Sequence, residues 1–105
     1  MKEIILLLAL MLGPRWTVNE FAIHYEVSPT LASCIVQHES GWRTGLVSKD
    51  NDTGLYQIIP DTAEWAAGKL GWVEYDLTNF ITNAEMGTYI LKYYPEWYST
   101  LELCQ

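Results

Sequence analysis

The sequence predicts a small, mostly α-helical α+β domain with one short β-hairpin. Two observations carry this. Helix-start and helix-stop signals alternate along most of the chain. One stretch of about a dozen residues, Val47 to Ile59, breaks that rhythm with turn residues between apolar flanks. The chain has 105 residues, long enough for one domain with a modest core. No repeat, linker or low-complexity tract interrupts it.

The elements follow in order. Met1 to Gly13 contains an apolar run, Ile4 to Leu12, shorter than the roughly 20 residues that span a bilayer. Its length suits the apolar region of a signal peptide. However, Lys2 is balanced by Glu3, and no small-x-small cleavage site precedes Pro14-Arg15-Trp16. Residues 1–13 therefore read either as a signal peptide or as an apolar N-terminal segment, buried or anchoring. Residues 14–105 read as the domain. Thr17-x-x-Glu20 has the form of a capping box and opens a helix with Val18, Phe21, Ala22 and Tyr25 on one stripe. Ser28 is an N-cap, Pro29 fits the first helical position, and Gly41 stops the helix after Glu39. Asp61-x-x-Glu64 opens Thr62 to Lys69, stopped near Gly71. Thr82-x-x-Glu85 opens Asn83 to Tyr94, ended by Pro95, with Gly87 read as a point of close helix packing. A last helix from Pro95 carries Trp97, Leu101 and Cys104.

Composition narrows the function. A net charge of −7 argues against nucleic-acid binding and gives no polybasic membrane patch. Five Trp and seven Tyr offer flat faces for sugars, although small cores use aromatics too. Cys34 and Cys104 form no metal-binding pattern. Cys34 lies in an apolar stretch and reads as a buried free thiol, with a disulfide as the alternative in an exported protein.

Glu39 carries the chemistry. It lies in the last turn of its helix, with Ile35 and Val36 one turn before it. Apolar neighbours and the partial negative charge of the helix C-terminus both disfavour its ionised form. A carboxylic acid that holds its proton near neutral pH can deliver it to a glycosidic oxygen. The competing reading is a surface glutamate at a frayed helix end. Gln57, inside the apolar run Leu55 to Ile59, needs hydrogen-bond partners or a ligand in a cleft. Asp50 and Asp52 resemble the start of a calcium loop, but Gly54 and Leu55 stand where that loop wants a ligand and then a glycine. An ordinary polar turn explains Asp50 better.

Together these residues resemble a known family. Glu39-Ser40-Gly41-Trp42 is similar to the E-S-G-x motif of the soluble lytic transglycosylases in the lysozyme-like superfamily. Ser48 to Ala63 matches their S-x-x-G-A-x-G-L-M-Q-I-x-P-x-T-A segment with identical spacing, and Asn83 to Leu91 resembles N-x-x-x-G-x-x-Y/x-L. Asn51, Asp52 and Tyr56 replace the usual Gly, Ala and Met. No counterpart of the family's final A-A-Y-N-A-G motif is visible, which implies the loss of a cleft tyrosine.

The resemblance implies a lysozyme-like fold with the hairpin beside the cleft. It implies cleavage of the β-1,4 bond between N-acetylmuramic acid and N-acetylglucosamine in peptidoglycan. Glu39 would act as acid and then base, without metal or organic cofactor. Ser48 and Gln57 would bind the N-acetyl group or sugar backbone, with Ser40, Tyr56 and Trp42 around the cleft. The expected protein is a monomer, exported or phage-encoded, acting on cell-wall glycan strands and bound to no membrane span. Animal-type lysozymes carry an Asp at the place of Asp52, so a hydrolase using Glu39 and Asp52 is the first alternative. A non-catalytic peptidoglycan-binding or phage structural module is the second.

Overall fold

The computed structural model describes residues 2–105, so Met1 lies outside the described residues. Four α-helices build the molecule: α1 (Lys2–His24), α2 (Pro29–Ser40), α3 (Pro60–Leu70) and α4 (Phe80–Tyr93). Two short 3₁₀ turns follow, Pro95–Trp97 and Leu101–Cys104. Helix α4 is central. Every residue from Asn83 to Thr88 is buried, as are Ile90 and Leu91, because α1 and α3 both pack on it.

Helix boundaries show which local signals dominated. Ser28 caps α2 as expected, its hydroxyl accepting from the Leu31 N–H at 3.2 Å, and Gly41 ends it at φ 59°. The three capping boxes do not cap. Helix α3 starts earlier, at Pro60, whose fixed φ suits a first turn. Helix α4 starts at Phe80 because Asn79 accepts from the Ile81 and Thr82 N–H groups. Glu85 instead sits one turn inside α4, where its carboxylate takes the Tyr25 hydroxyl at 2.7 Å and the Lys2 ammonium at 2.9 Å. Thr17 donates back to the Gly13 carbonyl. Gly13 itself kinks α1, at φ 87° ahead of Pro14.

The N-terminal half of α1 is not a detached tail. Ile5 and Ala9 are buried against the domain, and the Lys2–Glu85 ion pair fastens the start of the helix. Leu7, Leu10 and Met11 nevertheless point outward, each more than three-quarters exposed. The whole helix is long and apolar enough to cross a membrane by length and composition, and it is equally compatible with a signal sequence.

The expected hairpin is not a ladder. Among the described residues there is no strand; Thr53 makes isolated antiparallel bridges to Val47 and to Ile58. The reason is local. Asn51, Gly54 and Gln57 all adopt positive φ, so no extended run survives between them. The segment is a compact coil of turns.

Asn83 holds that coil on α4. Its side-chain oxygen accepts from the Tyr56 N–H at 2.9 Å, and its amide donates to the Thr53 and Leu77 carbonyls at 2.8 and 2.9 Å. One turn on, Gly87 has no side chain because the Tyr56 ring occupies that space. Gly54 is likewise enforced: an added Cβ would meet the Asn83 amide and the Leu77 carbonyl.

The chain end is fastened too. Cys34 and Cys104 form a disulfide with Cα atoms 5.7 Å apart, so the reading of Cys34 as a free thiol is corrected. The expected last helix is replaced by the two 3₁₀ turns, the first packed on α4 and the second on α2. Removing the bridge with Cys34→Ser and Cys104→Ser should cost about 2–4 kcal/mol, because it closes a long loop. Asn83→Ala should cost about 3 kcal/mol, since it strands three backbone groups, one buried and two partly buried. Denaturant titrations check both; a loss under about 1 kcal/mol for Asn83→Ala would remove its clamping role.

Candidate active site

Glu39 occupies the penultimate position of α2, and the αL residue Gly41 turns the chain away immediately after it. The carboxyl therefore meets a cleft rather than the helix's own continuation. The cleft encloses about 90 Å³ and is lined by Glu39, Asp52, Gln57, Ile58, Ile59, Thr62, Ile90, Trp97, Tyr98 and Ser99. The end of α2, the coil before α3 and the returning segment after α4 thus converge, with one residue each from α3 (Thr62) and α4 (Ile90).

Burial raises the Glu39 pKa above the ordinary carboxylate value. The Thr100 hydroxyl opposes this, donating to Glu39 Oε2 at 2.9 Å, while the negative charge of Asp52 adds to the rise and His38 subtracts from it. Asp52 is half-buried on the facing coil. The cleft therefore holds two carboxyls in unlike surroundings, one desolvated and one at a polar turn.

The sequence-selected residues divide. Glu39, Asp52 and Gln57 share the cleft. Gln57 also works structurally, its amide donating to the Leu46 and Gly54 carbonyls at 2.9 and 3.0 Å. Ser48 does not line the cleft; its oxygen accepts from the Asp50 and Asp52 N–H groups and shapes the turn that carries Asp52. Tyr56 is fully buried, bonded to Thr88 at 2.8 Å, and reaches no substrate surface. Ser40 is buried and donates to the Val36 carbonyl. Trp42 packs under the Arg15 guanidinium, 4.5 Å from its ring centroid, and borders a separate hollow with Leu12 and Pro14.

Sequence reasoning missed the returning segment. A tyrosine does border the cleft: Tyr98, buried, donates to the Gly87 carbonyl at 2.8 Å. Burial, then Tyr56 and Glu39, push its pKa well up, so it stays a neutral hydroxyl. Trp97 is 44% exposed in the cleft and stacks on Tyr94, with Trp65 edge-on to both. The available signal was Cys104. Pairing it with Cys34, little more than one turn before Glu39, brings residues 95–104 to the site.

Ligating atoms of Cys34, His38 and Cys104 lie within 4.8 Å of one another, but the disulfide occupies both sulfurs and leaves His38 alone.

The family description "Transglycosylase SLT domain" matches residues 17–104 of the chain. Among curated proteins, none matches. Among solved structures, the chain is similar to the 70 kDa soluble lytic transglycosylase of Escherichia coli, with a TM-score of 0.71 and 25% identity. The similarity covers 84% of this chain and 15% of that protein's length.

The electrostatics predict a stability effect with a definite sign. Folding raises the Glu39 pKa above its unfolded value, so the folded state binds the proton more tightly. That contribution is complete below the ordinary carboxylate pKa and is lost as pH rises through the folded value. Glu39→Gln cannot ionise, so its melting temperature should gain on that of the unaltered protein as pH rises from below the ordinary carboxylate range to above it. A constant difference across that range would show that Glu39 is not desolvated. Gln57→Ala should lose about 1 kcal/mol of stability and also weaken chitooligosaccharide binding. Thermal melts with affinity measurements check this; unaltered affinity would take Gln57 out of the ligand surface.

Proposed function

The chain belongs to the transglycosylase SLT-domain family, and from that premise we propose that it is a peptidoglycan lytic transglycosylase using Glu39 as its acid and base. The observation that carries this is Glu39 itself: a carboxyl with raised proton affinity, in a cleft, within the E-S-G-W motif.

Glu39 protonates the glycosidic oxygen between N-acetylmuramic acid and N-acetylglucosamine as the C1–O bond breaks. The C6 hydroxyl of the muramoyl residue then attacks C1. Its proton passes to the Glu39 carboxylate, which restores the acid and leaves a 1,6-anhydro end. No water enters, so one carboxyl suffices. The exposed face of Trp97 is suited to stack on a sugar ring, and Gln57 borders the same space. Tyr98 and Ile90 close the cleft floor. The protein would act as a monomer on glycan strands outside the cytoplasm. An oxidised Cys34–Cys104 pair and the apolar start of α1 both fit such a location.

One observation favours a second reading. Asp52 lines the cleft and its charge acts on Glu39, which is the arrangement of a hydrolytic muramidase with two carboxyls.

Mass spectrometry of digested peptidoglycan separates them, because anhydro ends are lighter by one water. Anhydro products are expected. Glu39→Gln should lower the rate by about 10²–10⁴-fold with the fold retained. Asp52→Ala should stay within roughly tenfold of the unaltered protein. Reducing ends abolished by Asp52→Asn would establish the hydrolase instead. Unchanged lysis by Glu39→Gln would overturn both.

A further inference from the structure

The segment after α4 does more than wall the cleft. Thr100 sits at the junction of the two 3₁₀ turns, with its hydroxyl 2.9 Å from Glu39 Oε2, across 61 positions of sequence. Four residues on, Cys104 is tied to α2 through Cys34, the helix that carries Glu39. On the other side, the Tyr98 hydroxyl is bonded to the α4 carbonyl of Gly87. Thr100 is therefore held between two fixed points.

We propose that Thr100 is a positioning residue for Glu39: its hydroxyl engages Oε2, fixes the rotation of the carboxyl, and leaves Oε1 to carry the proton into the cleft. This rests on reading Glu39 as the acid and base. A carboxylic acid has one O–H. With one oxygen accepting from a fixed donor, the proton belongs on the other. The same bond is stronger to the carboxylate than to the neutral acid, so it stabilises the form that must later take the C6 proton. Burial favours the first half of the reaction and Thr100 the second. The titratable groups facing Glu39 are Asp52 from the coil, His38 from its own helix and Tyr98 from the returning segment. Asp52 and His38 act in opposite senses, while Tyr98 stays neutral, so the hydroxyl of Thr100 is the group left to orient the carboxyl.

The test compares Thr100→Val, which keeps the shape and removes the donor, with Thr100→Ser, which keeps the donor. The side-chain carboxyl carbon of Glu39 is followed by NMR titration in each. Thr100→Val should move the Glu39 midpoint upward, and Thr100→Ser should hold it near that of the unaltered protein. In turnover of peptidoglycan, Thr100→Val should lose about tenfold or more, the equivalent of one charge-assisted hydrogen bond, and Thr100→Ser should recover most of it. A midpoint that stays or falls in Thr100→Val overturns the proposal, and so does Thr100→Ser behaving like Thr100→Val. The titration needs no turnover. A protein without lytic activity would count against the proposed function and still leave the Thr100 result readable.

Discussion

The three hydrogen bonds of Asn83 are the constraint on which the cleft depends. The coil between α2 and α3 has no ladder to hold it, only isolated bridges and five residues at positive φ. Such a segment has little cooperative stability of its own. Asn83, fully buried on α4, supplies an acceptor for Tyr56 and donors for Thr53 and Leu77, so the coil is fastened at its centre and at the entry to α4. Gly54 and Gly87 then follow as necessities: one lets the Asn83 amide approach the coil, the other admits the Tyr56 ring against the helix. Asp52 and Gln57 take their cleft positions from this attachment. A polar side chain at the core costs desolvation, which its full complement of partners offsets.

The second wall is fixed by different means. Residues 95–105 contain no α-helix and bury only Tyr98, so apolar packing alone would hold them weakly. A disulfide at one end and a buried hydroxyl at the other replace that missing packing. The consequence is functional. Trp97, Ser99 and Thr100 border or touch the site without any of them being rooted in an α-helix or a strand.

Much of this was legible in the sequence, for reasons that can be named. The Ser28 cap, Pro29 and Gly41 act within a few residues, so α2 and the place of Glu39 at its end could be read directly. Matched spacing brought Asp52 and Gln57 with it. The capping boxes misled because Asn79 and Pro60 offered earlier starts, and Glu85 found better partners in Tyr25 and Lys2. Tyr56 and Trp42 were placed around the cleft by the resemblance alone. The turn at Gln57 instead leaves Tyr56 in the core, bonded to Thr88, and Trp42 against Arg15. Tyr98 and Thr100 were not legible at all. Their contacts span from 11 to 61 positions and depend on a cysteine pairing that local pattern does not specify.

As the proposed acid and base, Glu39 shows what a site of this kind asks of its fold. A carboxyl that must hold a proton and then surrender and recover it cannot sit at either extreme of environment. Full burial would lock the proton on, and full exposure would lose it at neutral pH. The structure reaches an intermediate by opposition. Desolvation and Asp52 raise the proton affinity; Thr100 and His38 lower it. Asp52, Thr100 and His38 lie outside the hydrophobic core, and each comes from a different part of the chain or a different face of it. Proton affinity at Glu39 is therefore a tertiary property. On the proposed reading, one residue at the end of a helix supplies the chemistry, and the coil and the strap tune its proton affinity.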